Sequence, residues 1–350
     1  MPRFSRSGAS ADGTGREETL DGGAIIGRDA SGVLPTAPPV SLNVVAKHGD
    51  EDDGEPRHRR ILIAGASGAV GFPCLRLCKE TGYRIRTLSR NRLHAPKVSL
   101  FSDEIWLRDA TVRESIRGIC QGTDIVLSCM GASLDLREAD KRGFSHVDFE
   151  ANRNLLEEAM EAKVGRFVYV SVYGEQPFER TAYVRAHRRF EAALCESGLN
   201  YTIIRLTGLH STLSAMTTMV RNGAVAIVGR GGARTNPIHP EDAAELCLRY
   251  LVDGPGVVEA GGPEVLTRRE ISELVFGVLG ETPNIYWLPR LLLHIASGLT
   301  RPFNPRKAGL LEFLPAVSRA DAIAPQVGTR SLAEYLLEQD GLFARSANWA

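Results

Sequence analysis

Three glycines follow a short apolar run near residue 60. In the stretch ILIAGASGAVG, residues 61–71, the first four residues predict a buried strand. Gly65, Gly68 and Gly71 then predict a tight turn into a helix, because glycine accepts backbone conformations and close contacts that a Cβ excludes. Such a turn directs backbone N–H groups and the positive end of the helix dipole toward one point. The stretch therefore predicts a strand–turn–helix unit that can bind a phosphate group.

The chain after this unit alternates short runs rich in Val and Ile with longer amphipathic stretches. Strands are predicted at residues 60–65, 83–90, 104–107, 124–132, 166–174 and 201–208. Helices are predicted at residues 70–82, 110–122, 146–165, 183–198 and 331–339. This alternation predicts an α/β protein with a Rossmann-like, doubly wound parallel sheet.

The composition argues against two classes of partner and one kind of site. Lys+Arg and Asp+Glu are equal at 42 each, so the chain lacks the basic excess typical of nucleic-acid binding. No apolar run approaches the ~18 residues of a transmembrane segment. Cys74 and Cys78 share a predicted helix face, but no further ligands lie nearby in sequence, so we expect no metal site. The six cysteines are expected to be reduced thiols, which favours a cytoplasmic location.

The place of the glycine turn, directly after the first strand, favours a dinucleotide as the phosphate ligand. The first glycine would permit the turn, the second would let a pyrophosphate approach the backbone, and the third would let the helix pack on the strand. The predicted cofactor-binding residues of this turn are Gly65, Ser67, Gly68, Ala69, Val70 and Gly71. The alternative is a structural glycine turn without a ligand.

The end of the second predicted strand bears on the choice between NAD and NADP. NAD sites usually place an acidic residue about 20 residues beyond the glycines, where it accepts a hydrogen bond from the ribose 2′-hydroxyl. This chain has Arg90 at that distance, beside Ser89 and Arg92. Since a guanidinium binds a 2′-phosphate well, we expect NADP(H) rather than NAD(H). The alternative is that both arginines belong to an ordinary exposed loop.

Longer blocks of the chain resemble the short-chain dehydrogenase/reductase superfamily in its atypical and extended branches. These blocks are VDFEANRNLLEEAMEAKVGRFVYVSVYG, LNYTIIRLTGLH, NPIHPEDAAELC and EAGGPEVLTRREISELVFGVLG. The resemblance covers about residues 60–340 and is strongest to NmrA-like proteins, NAD-dependent epimerase/dehydratase-like proteins and an accessory subunit of respiratory complex I. It implies that Asp109 lies near the adenine and Gly131 near a ribose of the cofactor. Asp109 could equally be a helix N-cap.

The resemblance also implies a division of the chain. Residues 58–250 would form the NAD(P)-binding Rossmann domain, and residues 251–345 a small, mainly helical C-terminal substrate or lid part that is interleaved with it. Residues 1–57 are rich in Gly, Ser, Pro and charged residues and predict a disordered arm.

Active members of the superfamily use a Tyr-x-x-x-Lys pair with a nearby Ser or Thr. Here Tyr183 stands four residues before His187, so the two share a helix face, but a histidine replaces the lysine. Ser171 lies at the end of the fifth predicted strand, although Val172 matches the position of the family's serine better. Tyr173 follows immediately and could supply a hydroxyl. Tyr183, His187 and Ser171 are therefore the predicted catalytic residues. The alternatives are a partly buried aromatic for Tyr183 and a solvated helix face for His187.

Two further histidines are weaker candidates for catalysis. His210 and His239 flank a region that resembles a structural segment of the family, in which His239 and Asp242 cap the next helix. We therefore expect a structural role for His239.

These residues leave two functional hypotheses open. The leading one is an NADP(H)-dependent oxidoreductase, or an epimerase-like enzyme, that acts on an unknown small-molecule substrate. The alternative is a non-catalytic NADP(H)-binding redox sensor or an assembly or accessory subunit, which the histidine at the lysine position favours. A homo-oligomer or a protein partner is possible under either hypothesis.

One apolar stretch near the C-terminus contains few charges. In IYWLPRLLLHIASGLTRPF, residues 285–303, the apolar residues could pack in the core or in a lid, contact a hydrophobic substrate, or rest on a membrane surface. Because Pro289 and Gly298 interrupt the stretch, we expect packing in the core or lid.

Overall fold

The structure is a computed structural model, and it describes residues 59–90, 92–174 and 176–347. The arm predicted for residues 1–57 lies outside the described residues. In the described part of the chain, the strands are β1 (Arg60–Ala64), β2 (Arg84–Ser89), β3 (Glu104–Leu107), β4 (Ile125–Ser128), β5 (Arg166–Val172), β6 (Tyr201–Leu206), β7 (Val225–Val228), β8 (Arg234–Thr235), β9 (Val257–Ala260), β10 (Leu266–Thr267) and β11 (Ile285–Leu288).

The α-helices lie between and after these strands. They are α1 (Gly71–Glu80), α2 (Ala95–Ser99), α3 (Ala151–Glu161), α4 (Ala182–Glu196), α5 (His210–Arg221), α6 (Pro240–Arg249), α7 (Arg268–Val278), α8 (Arg290–Thr300), α9 (Pro305–Val317) and α10 (Leu332–Ala347). None of the helices in the described residues is long and apolar enough to cross a membrane.

The main sheet has seven strands in the order β3-β2-β1-β4-β5-β6-β9, and every neighbouring pair is parallel. This arrangement confirms the predicted Rossmann-like fold. The strand order reverses between β1 and β4, and in open α/β sheets ligands bind in the crevice at the carboxyl ends of the strands at such a point.

Both faces of the main sheet are buried, as the apolar first strand predicts. Ile61 and Ile63 of β1 pack in one cluster with α1 and α6. Leu62 and Ala64 point to the other face and pack in a second cluster with α3 and α4. The alternation of strand side chains therefore places helices on both faces, which is the doubly wound arrangement.

The C-terminal residues contribute to more than one part of the fold. The strand β9, which follows residue 250, completes the main sheet beside β6. The earlier elements α5 and β7 instead pack with α7 and α10 in a separate apolar cluster, and β7 pairs with β11. The helices α8 and α9 pack against each other and α9 contacts α4.

The helix predicted over residues 110–122 is wrong. This segment forms a short 3-10 helix, Arg113–Ile116, followed by turns. The reason is the pair Gly118 and Gly122, which adopt φ values of +77° and +66° that end helical geometry. The amphipathic pattern came from Ile116 and its buried neighbours, which pack under the turns without a helix.

The expectation that residues 285–303 pack in the core or lid is wrong for one face of α8. One side of this helix packs on α9, and Ser297 there is buried with its hydroxyl bonded to the carbonyl of Ala308. The opposite side, which includes Leu291 and Leu299, is exposed. An apolar sequence cannot tell which face of a short helix finds a neighbour.

Candidate functional site

The glycine turn is built so tightly that its first and third glycines cannot be replaced. Gly65 adopts a φ of +77°, and a Cβ there would lie 2.7 Å from the carbonyl oxygen of Cys129 on the neighbouring strand end. A Cβ at Gly71 would lie 2.1 Å from the carbonyl oxygen of Gly65. The absence of both side chains lets the start of α1 approach β1 and the end of β4.

Gly68 has a different position in this turn. It is exposed, and a Cβ would meet the carbonyl oxygen of Gly65 at 3.2 Å. Its N–H donates to that same oxygen at 2.9 Å, which closes the turn. A side chain at Gly68 would therefore stand in front of the turn, where a ligand would approach the backbone.

The start of α1 leaves backbone donors available. Val70 at the N-cap position makes no side-chain cap, and the first turn of the helix has no acidic residue. Within the described residues, the N–H groups of Ser67, Ala69 and Val70 have no backbone acceptor. Free N–H groups at an uncapped helix start form a site that favours an anion.

The end of β2 places Ser89 and Arg90 at the edge of the same crevice. The Ser89 hydroxyl is buried without a hydrogen-bond partner in the described residues. The Arg90 guanidinium is half exposed and forms an ion pair with Asp140. Neither residue is a carboxylate that would repel a phosphate group.

Asp109 lies after β3, where it holds a turn and an arginine. Its Oδ1 accepts hydrogen bonds from the backbone N–H and the hydroxyl of Thr111, at 3.0 and 2.8 Å. Its Oδ2 lies 2.8 Å from Arg142, which also pairs with Asp140. Asp109 thus closes an Asx-type turn and does not cap a helix, because the 3-10 helix that comes next, Arg113–Ile116, has Val112 at its N-cap position.

Gly131 follows β4 and lies against the buried Asp148. A Cβ at Gly131 would come within 3.2 Å of the Asp148 Oδ1. That oxygen accepts a hydrogen bond from the backbone N–H of Ala132 at 3.1 Å. The second carboxylate oxygen, Oδ2, is buried without a hydrogen-bond partner in the described residues.

His187 joins Asp148 to a tyrosine of β5. Its Nε2 lies 3.2 Å from the Asp148 Oδ1, outside hydrogen-bond geometry, and its Nδ1 lies 2.6 Å from the hydroxyl of Tyr169. All three side chains are buried. The solvated position that sequence left open for His187 is therefore excluded. Burial and the negative charge of Asp148 raise the pKa of Tyr169 well above its usual value.

Tyr183 lies one helical turn before His187 and is surrounded by rings. Its ring centre is 4.9 Å from that of His187, 5.0 Å from Phe144 and 5.1 Å from Phe313 of α9. Burial, and then the charge of Asp148, raise the pKa of the Tyr183 phenol. The structure therefore brings Tyr183 and His187 together, in surroundings that disfavour the phenolate.

Ser171 belongs to a different group of side chains. Its hydroxyl donates to Glu191 at 2.5 Å, and Glu191 also pairs with Arg188 and Arg205 at 2.6 and 2.7 Å. Val172, the next residue of β5, packs in the apolar cluster that contains Tyr183. The structure thus places Val172, rather than the Ser171 hydroxyl, on the side of Tyr183.

His239 caps a helix, in agreement with its expected structural role. Its Nδ1 accepts a hydrogen bond from the backbone N–H of Glu241 at the start of α6. His210 is buried beside it, and its Nε2 lies 3.0 Å from the carbonyl oxygen of Pro237.

Across the residues that the structure describes, no three His, Cys, Asp or Glu side chains are placed to hold a metal ion.

Sequence reasoning did not single out Asp148 or Tyr169. Both stand inside blocks that were recognised for their resemblance, and an acidic residue in an amphipathic helix is normally exposed. One local signal is a short π-helix, Ser145–Glu150, that precedes α3 and turns Asp148 inward. Such insertions often occur at functional sites, but a single sequence does not reveal them.

Residues 65–253 match the model of a family described as NAD(P)H-binding. The chain belongs to this NAD(P)H-binding family. The match includes the glycine turn, the ends of β2 and β4, and the helix that carries Tyr183 and His187.

Several curated proteins are similar to this NAD(P)H-binding chain. It is 28% identical over 153 residues to the photosystem II assembly factor Ycf39 of Cyanophora paradoxa, covering 44% of this chain and 46% of that protein. It is 24% identical over 309 residues to the chloroplastic divinyl chlorophyllide a 8-vinyl-reductase of Cucumis sativus, covering 81% of this chain and 70% of that protein. The chain thus spans about half the length of the first relative.

A solved structure has the same fold. The UDP-glucose 4-epimerase of Thermotoga maritima, solved with UDP-glucose, superposes with a TM-score of 0.64 at 17% identity. The match covers 82% of this chain and 99% of that one. The predicted relation to the epimerase and short-chain dehydrogenase/reductase fold is therefore confirmed.

The side chains of the crevice fit an NAD(P) cofactor. The turn at Gly65 and Gly71 forms a backbone cradle that any Cβ would fill. Three buried polar atoms lack a hydrogen-bond partner in the described residues: the Ser89 Oγ at the end of β2, the Asp148 Oδ2 beside the segment that follows β4, and the His187 Nε2 next to Asp148. Unpartnered polar atoms on both sides of the strand-order reversal are expected where a dinucleotide with two riboses lies.

Proposed function

We propose that this protein holds NADP(H) and acts as an NADP(H)-binding accessory or assembly protein. The observation that carries the proposal is the enclosure of Tyr183 between Phe144, Phe313 and His187, with its phenol pKa raised. A raised phenol pKa disfavours the phenolate, which is the form that accepts a proton from a substrate, and this favours binding of the cofactor over its turnover.

The proton-transfer chemistry of the superfamily supports this reasoning. When bound, the nicotinamide supplies or accepts a hydride, and a tyrosine must then move a proton near neutral pH. A lysine ammonium beside the tyrosine would lower the phenol pKa, since a nearby positive charge favours the phenolate. Here His187 replaces that lysine, and the neighbouring charge is the Asp148 carboxylate, which acts in the opposite direction.

The serine that would orient a substrate is also missing from the position beside Tyr183. Val172 stands there, and Ser171 donates its hydroxyl to Glu191 instead. Tyr173 of the same apolar cluster carries a hydroxyl, but neither the lysine nor the serine of active members stands beside Tyr183. This arrangement supports a binding role.

NADP(H) is the nucleotide that the end of β2 favours. Arg90 lies where a ribose 2′-substituent is expected. Its guanidinium pairs with the Asp140 carboxylate and could bind a 2′-phosphate in place of that carboxylate. β2 has no Asp or Glu that could accept a hydrogen bond from a ribose 2′-hydroxyl, which is the contact typical of NAD sites.

The relatives include one protein named as an assembly factor and one named as an enzyme. Ycf39 is named as an assembly factor, and the reductase is named for its reaction. The first name supports a protein partner for this chain.

We keep the cytoplasmic location as part of the proposal, and cell fractionation with an antibody against the chain tests it.

Identification of the nucleotide carried through native purification tests the proposed function. Mass spectrometry of the supernatant after denaturation should detect NADP(H) in preference to NAD(H). The bound nucleotide should exchange slowly, and NADPH absorbance should not fall when a panel of carbonyl and quinone compounds is added. Rapid oxidation of bound NADPH by any of these compounds would contradict the accessory role.

An NADP(H)-dependent oxidoreductase is the second candidate. It is favoured by the contact of Tyr183 with His187 at 4.9 Å between ring centres, and by the alignment with the reductase over 81% of this chain. If turnover is found, Tyr183→Phe should abolish it, while Tyr201→Phe at the amino end of β6 should leave it unchanged. Equal rates in both variants would exclude Tyr183 as the proton donor.

A further inference from the structure

The outer face of α8 is apolar and exposed. Leu291, Ile295 and Leu299 follow one another at four-residue intervals and are 68%, 52% and 72% exposed. Leu292 lies on the same side, and Phe303 just beyond the helix is 79% exposed. Spacing of this kind places the side chains in one stripe along the helix. A contiguous stripe of large apolar residues marks an interaction surface, whereas scattered ones do not.

Two aromatic residues precede this stripe. Tyr286 and Trp287 lie on β11 and are about half exposed. The strand is fixed by its parallel pairing with β7, and Pro289 leads directly from it into α8. Tyrosine and tryptophan side chains combine an apolar ring with a polar atom, and they are enriched where lipid meets water.

The inner side of α8 is firmly held, so the exposed stripe is a feature of the folded protein. Ser297 bonds to the Ala308 carbonyl of α9 at 2.8 Å. The buried Arg306 of α9 in turn donates to the backbone carbonyls of Ser133, Asp135, Glu138 and Asp140. These bonds fix the helix pair to the loop after β4.

The segment that carries the stripe has an excess of positive charge. Residues 282–311 contain no Asp or Glu and carry Arg290, Arg301, Arg306 and Lys307, in a chain whose total charge is zero. Arg301 is exposed and forms an ion pair with Glu312 at 3.4 Å. Arg290 bonds to Ser318, and the residue that follows, Arg319, is exposed. Because Arg306 is buried, the cations of this segment that reach the surface are Arg290, Arg301 and Lys307.

We propose that the stripe formed by Leu291, Leu292, Ile295, Leu299 and Phe303 docks on an anionic lipid surface. An 11-residue helix is ~16 Å long and cannot span the ~30 Å hydrocarbon core, so α8 would lie in the interface plane. Its apolar face would enter the lipid boundary, and the cations would contact lipid phosphates.

The charge distribution disfavours the competing occupant, a second copy of this chain. In a symmetric dimer through this stripe, the same surface cations would face one another, and like charges at close range are repulsive. An anionic lipid surface instead complements both the stripe and these cations. The inference is independent of the proposed NADP(H)-binding function.

Vesicle co-sedimentation of the full-length protein tests the proposal. The probe is phosphatidylcholine vesicles with and without phosphatidylglycerol at about one third of the lipid. The test variant is the double substitution Leu291→Glu with Leu299→Glu. The control is Leu337→Glu, because Leu337 is a 58% exposed leucine on α10, outside the stripe. Because the substituted positions are exposed, the variants should fold, and circular dichroism checks this.

We expect the wild-type protein and Leu337→Glu to pellet with the anionic vesicles, and the double variant to lose at least tenfold in partition. Added salt should weaken binding. Three results would overturn the proposal: no binding of the wild-type protein to anionic vesicles, equal partition of the double variant, or a wild-type dimer in sedimentation velocity that the double variant breaks without lipid. In that last case the stripe is an interface between copies.

Discussion

The Asp148 carboxylate lies 3.2 Å from the Nε2 of His187 with both side chains buried. The other ring nitrogen of His187 lies 2.6 Å from the Tyr169 hydroxyl. The imidazole is therefore fixed between an acid and a phenol, and Tyr183 packs on its edge. His187 stands where an active relative would have a lysine, and its ring is held by the Tyr169 hydroxyl and by packing against Tyr183.

We expect His187→Ala to destabilise the protein by about 3 kcal/mol, because it leaves the buried Tyr169 hydroxyl without its hydrogen-bond partner and opens a cavity beside Tyr183. Urea unfolding followed by circular dichroism measures the change. His146→Ala serves as the control, since His146 is exposed and its one charged neighbour given by the structure, Glu150, lies at the long distance of 4.0 Å. Equal midpoints for the two variants would show that the contacts of His187 carry no stability.

We expect Arg90→Ala to raise the Kd for NADPH by about 10- to 100-fold, which is the worth of one charge-assisted hydrogen-bonding group. The Kd for NADH should stay within about twofold, because NADH has no 2′-phosphate. Arg84→Ala at the opposite end of β2 is the matched control. Fluorescence titration with both nucleotides measures the ratio. An equal loss for NADPH and NADH would remove the 2′-phosphate assignment.

Much of the Rossmann domain could be predicted because its signals are local. The apolar run of β1 and the turn at Gly65 specify a buried strand that enters a helix, and the structure confirms both. The failures concern long-range packing. The exposure of α8 depends on which neighbour lies beside it, and the turns at Gly118 and Gly122 replaced a helix that the apolar pattern favoured.

The candidate site shows the same difference between local signals and long-range packing. The glycine turn has a backbone requirement that sequence displays directly, whereas the surroundings of Tyr183 are assembled from separate segments. Phe313 comes from a helix 130 residues later in the chain, and Asp148 becomes buried through a π-helical turn. The direction of a pKa shift follows from such neighbours, so sequence could identify the tyrosine but not its chemistry.

We expect the protein to lose stability as the pH falls from about 6.5 to about 4. Burial, followed by the nearby His239, lowers the pKa of His210 to about 4. Since the unfolded chain binds a proton at this histidine near its ordinary pKa of ~6.5, stability is complete above that value and declines below it. The shift corresponds to about 3 kcal/mol.

Urea unfolding at several pH values in this window measures the effect. His210→Asn removes the titrating group and should flatten the pH dependence, whatever its effect on stability at neutral pH. The exposed His294 provides the control, and His294→Asn should retain the wild-type slope. The same slope in all three proteins would show that other groups cause the acid loss.

Isothermal titration calorimetry of NADPH into nucleotide-free Gly68→Val tests the central claim most directly, because this side chain would stand in front of the turn that we propose to bind the pyrophosphate. Gly277→Val is the control, since a Cβ on this exposed glycine of α7 meets no atom within 4 Å among the described residues. We predict that the wild-type protein and Gly277→Val bind NADPH alike, and that folded Gly68→Val loses at least tenfold in affinity. Unchanged affinity in folded Gly68→Val would contradict the account.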